Sequence, residues 1–192
     1  LDPVGAGAGP FRTDVAKALL ALSPTKIIRG NPSEICALAA GHSSTKGVES
    51  TIGPEQAKQI LTGHGRPDPS TDELPEGATS LLESASALVV SGNTDMVLGK
   101  DKMARIANGS ELMGAVTGTG CMLSAICAAF YAVADNGFDA AVASVAVTGI
   151  AGEIAAARVP GPGFFIPHFI DSLYALDEAD IHQYLKAEIH TL

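Results

Sequence analysis

Three short stretches carry side chains whose types and spacing could do chemistry. The first is Val116-Thr117-Gly118-Thr119-Gly120-Cys121, a small-residue turn that runs straight into the apolar stretch from Met122 to Val133. A helix starting there presents unpaired N–H groups and the positive end of its dipole. Glycines ahead of it let an anion approach the backbone closely. The result is a phosphate cradle that needs no lysine, although such turns also serve packing alone. Cys121, at the junction, would feel the same field, which makes a thiol a better base or nucleophile. Cys127 reads instead as a small core residue.

The second stretch is Arg29-Gly30-Asn31-Pro32-Ser33-Glu34, a strand-to-helix turn. In an α/β sheet such turns lie at the carboxyl edge, where ligands bind. Arg29 offers a planar fork for phosphate oxygens, and Glu34 a carboxylate for Mg²⁺, directly or through water. The plainer account is an Arg–Glu surface pair. The third stretch, Asp2-Pro3-Val4-Gly5-Ala6-Gly7-Ala8-Gly9, puts an acid at the end of an expected strand. Its glycines lack the Gly-x-Gly-x-x-Gly spacing of a dinucleotide site, and Asp2 could equally be a turn or cap residue. Five scattered histidines (His42, His64, His168, His182 and His190) show no ligand spacing, which argues against zinc.

These residues need elements to position them. Val15, Leu19 and Leu22 recur at helical spacing, predicting a helix from Arg12 to Leu22. A strand from Lys26 to Asn31 follows, then short helices starting at Pro32 and at Pro54, with Gly41 as a stop for the first. Gly63 to Gly77 is rich in Pro, Gly and acid and reads as an exposed flexible loop. From Ser86 the pattern is strand, turn, strand, turn, strand. Ala87–Gly92 has the continuous apolar look of a central strand. Met96–Gly109 suggests an antiparallel pair at a sheet edge, with Asn108-Gly109 as a tight turn. Helices are expected over Cys121–Asp135, Ala140–Arg158 and Pro167–Leu176, and a polar one over Glu178–Ile189. Strands alternating with helices point to a single α/β domain over residues 1–192 with a mostly parallel sheet. The opening residues look like the end of a buried strand, so an N-terminal portion is expected to be missing.

Composition narrows the partners. The 192 residues carry 46% apolar side chains, enough for one packed domain, and a formal charge of −9. That charge disfavours nucleic acid and anionic membrane surfaces. Three cysteines without CxxC spacing fit a reducing, cytoplasmic setting rather than a disulfide scaffold. The longest small-apolar segment, Ala140–Ala157, is interrupted by Ser144, Thr148, Gly149, Gly152 and Glu153, and reads as a buried helix rather than a membrane span.

The combination of Asp2–Ala8, Arg29–Ile35, Gly47–Ser50, Val89–Val97, Val116–Met122 and Gly161–Tyr174, in this order, resembles the hydroxyethylthiazole kinase family of the ribokinase-like superfamily. The resemblance implies a three-layer α/β sandwich lacking its N-terminal region. It implies ATP-dependent phosphorylation of 4-methyl-5-(2-hydroxyethyl)thiazole in thiamine biosynthesis or salvage, with Mg²⁺, in a homotrimer with active sites between subunits. By resemblance, Arg29 and Ser91 contact ATP, Gly118, Thr119 and Gly120 form with Cys121 the anion hole, and Gly118 also touches the thiazole. Glu34 and Asp2 manage Mg²⁺ and charge, and Cys121 stands where most ribokinase-like enzymes place an aspartate base. The rival readings are a hydroxymethylpyrimidine-type kinase, against which Cys121 argues, and a non-catalytic fragment that only oligomerises. Some relatives join such a kinase to thiamine-phosphate synthase, so a piece of a fusion is a further expectation.

Overall fold

The computed structural model describes residues 1–22, 27–40 and 77–192. The expected stop at Gly41, the helix starting at Pro54, the stretch Gly47–Ser50 and the loop up to residue 76 lie outside the described residues.

Five strands form one sheet in the order β1-β2-β3-β4-β5: β1 (Ile27–Gly30), β2 (Ala87–Val90), β3 (Asp95–Leu98), β4 (Lys102–Ile106) and β5 (Ala187–Thr191). Leu1 lies along β1. Its N–H donates to Ile27 O at 2.8 Å and its carbonyl accepts from Arg29 N at 2.9 Å, the pattern of a parallel ladder.

The expectation of a mostly parallel sheet is not met among the described residues. β1 pairs with β2 in parallel, whereas β2–β3, β3–β4 and β4–β5 are antiparallel. The connections decide this. Residues 91–94 join β2 to β3 and residues 99–101 join β3 to β4, far too few for the crossover that a parallel pair needs. The first turn is closed by Gly92 N–H donating to Asp95 Oδ1 at 2.8 Å, the second by Gly99 N–H donating to Lys102 O at 2.8 Å.

The C-terminal reading is also corrected. The helix expected over Glu178–Ile189 stops at Tyr184, and Ala187–Thr191 becomes β5 against β4. A free edge on β4 would leave a row of unpaired N–H and C=O groups, and β5 supplies their partners. The β3–β4 pair is therefore not at the edge. Nor is Asn108-Gly109 a tight turn: it belongs to the irregular lead from β4 into the next helix.

Helices cover both faces. On one face, α1 (Pro10–Leu22), α2 (Pro32–Ala39) and a 3-10 turn (Ala78–Glu83) bring Leu20, Ile35, Leu38 and Leu81 against Ile28, Leu88, Val90 and Leu98. On the other, Ile27, Val89, Val97 and Ile106 meet Leu123 and Cys127 of α4 (Thr119–Tyr131) and Phe138, Ala141 and Val145 of α5 (Gly137–Ala157). The alternation of Ile27 with Ile28 and of Val89 with Leu88 and Val90 is the strand period of two, with both faces buried. A short helix, α3 (Glu111–Ala115), precedes α4; α6 (Phe165–Ala175) and α7 (Glu178–Tyr184) follow α5.

α5 is 21 residues long and apolar enough, by length and composition, to cross a membrane. It is instead the central packing helix. It lies against the sheet on one side, and beyond α4 its far end holds Ala151 and Ala155 against Phe165 and Phe169 of α6. Those two rings stack at 5.9 Å. Small residues let neighbours approach α5 closely, and its burial among them accounts for its largely apolar surface.

Candidate active site

The carboxyl edge of β1 and β2 meets the start of α4, and most of the residues singled out by sequence gather there. Arg29 is the hub. Its Nε donates to Ser91 Oγ at 3.2 Å, and its Nη1 donates to Asp2 Oδ2 at 3.1 Å and to Gly120 O at 3.3 Å. One guanidinium thus ties together β1, the end of β2, the Asp2 loop and the first turn of α4. The ion pair with Asp2 is shielded, each side chain being 15% exposed. Of the alternatives for Arg29, the surface pair with Glu34 does not form.

Glu34 acts locally. It is the third residue of α2, and with Asn31 it makes a capping box: Asn31 Oδ1 accepts Glu34 N–H at 2.9 Å, and Glu34 Oε2 accepts Asn31 N–H at 3.0 Å. Its other oxygen, Oε1, accepts Gly5 N–H at 2.8 Å and so fastens the glycine loop to α2. That loop is further closed by Gly7 N–H donating to Thr13 Oγ1 at 2.8 Å. Its N–H groups serve the fold, as the absent dinucleotide spacing implies.

α4 starts differently from its neighbours. α2, α3, α5 and α7 open on Asn31, Ser110, Asn136 and Asp177, each of whose side chains accepts a first-turn N–H. α4 opens on Gly118, with φ +107° and no side chain to cap with. The N–H groups of Thr119, Gly120 and Cys121 therefore have no intrahelical acceptor, and the dipole end is left bare. A residue with a Cβ is strained at that φ. Gly120 is equally constrained by contact: a Cβ there would lie 3.1 Å from Arg29 Nη1. Thr119 Oγ1 donates to Met113 O at 2.9 Å, anchoring α3 to the turn.

A cavity of about 740 Å³ opens beside this hub. Arg29, Ser91, Asp95, Thr119 and Gly120 line its polar side, and Met113, Leu123, Val145 and Gly149 its apolar side. Gly118, Asp2, Glu34 and Cys121 are not in its wall. Cys121 is exposed, one residue beyond Gly120 on α4. Cys127 is buried with Sγ 2.9 Å from Ser144 Oγ, and burial pushes its thiol up from its ordinary value, as befits a core residue.

Three features were not singled out by sequence. Asp95 lines the cavity, and burial raises its carboxyl to about 6, against the opposing pull of Gly92 N–H and the Arg29 charge. Its only signal was its place closing the Gly92–Asp95 turn. Ser124 donates to Asp2 Oδ2 at 2.6 Å; its signal was its position one helical turn after Gly120. Asn108, 4% exposed, donates to Glu153 Oε1 and Tyr184 O and accepts from Lys186 N–H, while Lys186 Nζ reaches both Glu153 oxygens at 3.0 Å. This clamp fixes the wall of the cavity formed by Asn108 and Gly109. Glu153, the one acid in the apolar run Ala140–Ala157, was its sequence trace.

Among the described residues no group of three or more His, Cys, Asp or Glu side chains is placed to hold a metal. The donor set suits a different arrangement. Mg²⁺ is usually held by one or two carboxylates together with substrate phosphates and water. The bonds from Arg29 and Ser124 to Asp2 both fall on Oδ2, and Glu34, although each oxygen takes an N–H, keeps lone pairs for a metal-bound water.

A model described as "Hydroxyethylthiazole kinase family" matches residues 1–65 and 72–179. The chain belongs to that family. It is 39% identical over 188 residues to a hydroxyethylthiazole kinase of Leptospira biflexa, covering 98% of this chain and 64% of the relative. It is 44% identical over 189 residues to one of Syntrophus aciditrophicus, covering 97% of this chain and 63% of that relative. Among solved structures, the hydroxyethylthiazole kinase protein of Pyrococcus horikoshii superposes with a TM-score of 0.77 at 31% identity, over 99% of this chain and 64% of that one. The pyridoxal kinase of Staphylococcus aureus superposes with a TM-score of 0.55 at 17% identity, over 100% of this chain and 61% of that one, a likeness of fold alone. The chain thus spans a little under two thirds of the relatives' length.

Proposed function

We propose that this member of the hydroxyethylthiazole kinase family transfers the γ-phosphoryl group of ATP to the primary alcohol of 4-methyl-5-(2-hydroxyethyl)thiazole, within thiamine biosynthesis or salvage. The observation that carries the proposal is the Arg29 hub beside the uncapped start of α4. It brings a fixed positive fork and the free N–H groups of Thr119, Gly120 and Cys121 to one edge of an open cavity. In an acidic protein, such local donors are what can hold a polyphosphate.

Phosphoryl transfer asks chiefly for positioning and for stabilisation of charge on the moving group. The cavity lined by Arg29, Ser91, Thr119 and Gly120 takes the nucleotide. The alcohol approaches from the outer side of the same turn, where Gly118 and exposed Cys121 lie. Arg29, held in plane by Ser91, Asp2 and Gly120, grips phosphate oxygens, and the first-turn N–H groups of α4 stabilise the transferring group. Cys121 accepts the hydroxyl proton as the new O–P bond forms and ADP departs. When bound, Mg²⁺ would neutralise phosphate charge; Asp2 directly and Glu34 through water are the residues that would hold it. Asp2 also balances Arg29.

The same reading takes the fold to be the three-layer ribokinase-like sandwich, the setting to be cytoplasmic and the assembly to be a trimer. The exposed apolar side chains Phe11, Val15, Leu19 and Leu22 along α1 offer surface for assembly. A second reading has a specific support. Because the chain spans 64% of a relative such as that of Leptospira biflexa, this length holds the nucleotide side while the alcohol side is incomplete. Product formation from ATP and the thiazole alcohol, measured for this chain and for a form extended to the relatives' length, separates the two. Activity in both supports the first reading, activity only in the longer form the second. Activity in neither refutes the kinase assignment.

A further inference from the structure

Among the described residues Asp2 is the one carboxylate paired with Arg29, yet Arg29 alone cannot fix its orientation. Arg29 Nη1 divides itself between Asp2 Oδ2 at 3.1 Å and Gly120 O at 3.3 Å, so the pair is joined at one oxygen, end-on. An end-on pair leaves the carboxylate free to turn about its last torsion, which is broad and nearly two-fold. Ser124 removes that freedom. Its Oγ lies 2.6 Å from the same Asp2 Oδ2 and 3.3 Å from Gly120 O. A hydroxyl has one proton to donate, and the shorter contact, to a charged acceptor, is the stronger. The Gly120 carbonyl is the position the proton falls back to when Asp2 is absent.

The geometry points to Ser124 as a positioning residue for phosphoryl transfer. Its hydroxyl and Arg29 together occupy Oδ2, which holds the Asp2 carboxylate in one rotation and keeps Oδ1 for the ligand and its cation. It also keeps Asp2 from taking the guanidinium side-on. In a side-on pair two Arg29 nitrogens would face Asp2 and be lost to Ser91 and to phosphate. Ser124, Asp2, Arg29 and Gly120 come from three separate parts of the chain, so the hydroxyl is also what registers the Asp2 loop against α4. This role rests on the kinase reading given above.

The role is distinguishable from a structural one. Ala is a better helix former than Ser, so Ser124→Ala leaves the thermal midpoint unchanged or higher if the helix alone is concerned. Ser124→Cys keeps the size and loses most of the donor strength, while Ser124→Thr keeps the hydroxyl. Steady-state kinetics and thermal unfolding of the full chain and these three variants form the test. The expected result is a fall in kcat of about tenfold to a hundredfold for Ala and Cys, the range for losing a hydrogen bond to a charged group. KM for ATP stays within about threefold, and Thr returns kcat to near the starting value. Ala and Cys variants with kcat within about twofold of the unmodified protein overturn the inference. So does a loss that Thr fails to restore while the thermal midpoints match. If the unmodified protein forms no product at this length or at the relatives' length, it is the kinase reading that fails, which is a different outcome from an active protein indifferent to Ser124.

Discussion

Replacing Asp95 by Asn should make the protein more stable at neutral pH, and the gain should vanish in acid. Asp95 Oδ1 accepts Gly92 N–H at 2.8 Å, and Asn offers an oxygen in the same place, so the β2–β3 turn survives. What changes is the charge. Burial raises the Asp95 carboxyl from 3.8 to about 6 in the folded protein. Between those two values the folded state holds the proton that the unfolded state releases, so stability falls as pH rises through that window. Below about pH 4 both states are protonated and nothing is lost. Above about pH 6 the loss is complete. A gap of about two units corresponds to a ceiling of about 3 kcal/mol. The side chain remains partly open to the cavity, so water relieves some of the burial, and about 1–2 kcal/mol is the expected size. Urea unfolding of both proteins at pH 4, 5, 6, 7 and 8 measures it. Asp95→Asn should exceed the unmodified protein by about 1–2 kcal/mol at pH 7–8, with the difference closing towards pH 4. An Asn variant of equal or lower stability at pH 8, or a gap that ignores pH, would refute the reasoning. A buried acid kept at such a cost in the wall of the proposed ligand cleft is what a functional site tolerates.

Two glycines of α5 should respond differently to Ala. A Cβ at Gly149 would lie 2.7 Å from both Asn108 Cβ and Asn108 O, a residue locked by Glu153, Tyr184 and Lys186, so Gly149→Ala should cost about 2–3 kcal/mol in chemical unfolding. At Gly152 the obstacle is the flexible side chain of Met113, so Gly152→Ala should stay within about 1 kcal/mol of neutral. Gly120→Ala should leave the thermal midpoint nearly unchanged while weakening ATP binding about tenfold in calorimetry, because the new methyl meets Arg29 Nη1 at 3.1 Å and displaces the fork.

What could be read along the chain, and what could not, divides by range. The Asn31-Pro32-Ser33-Glu34 start of α2, the bare glycine start of α4 and the two hairpin strands are local patterns, and they stand where the sequence placed them. The mostly parallel sheet fails because the rule of alternating strands and helices was carried past two connections too short to cross over. β5 escaped because Ala187–Thr191 has no strong period of its own: the open edge of β4 recruits it, and that edge belongs to residues more than eighty positions earlier. The partners of Arg29 were legible as a set but not as a geometry. The pairing of Arg29 with Asp2 rather than Glu34 depends on Glu34 being held by the caps of α2 and the Gly5 loop. Ser124 and the Asn108–Glu153–Lys186 clamp join residues far apart in sequence, and their local traces, a serine one helical turn after Gly120 and an acid in an apolar run, do not say what they meet.

The proposed site stands or falls most directly on Cys121. Turnover of the thiazole alcohol and equilibrium binding of ATP should be measured side by side for the unmodified protein and for Cys121→Ser, in the active length of chain. If the thiol takes the proton at a turn whose N–H groups hold the phosphates, kcat falls by about a hundredfold, within the range for a lost general base. ATP affinity should stay within about threefold, since the backbone donors remain. Undiminished turnover would contradict the base role, and a parallel collapse of ATP binding would contradict the separation of nucleotide and alcohol on the two sides of that turn.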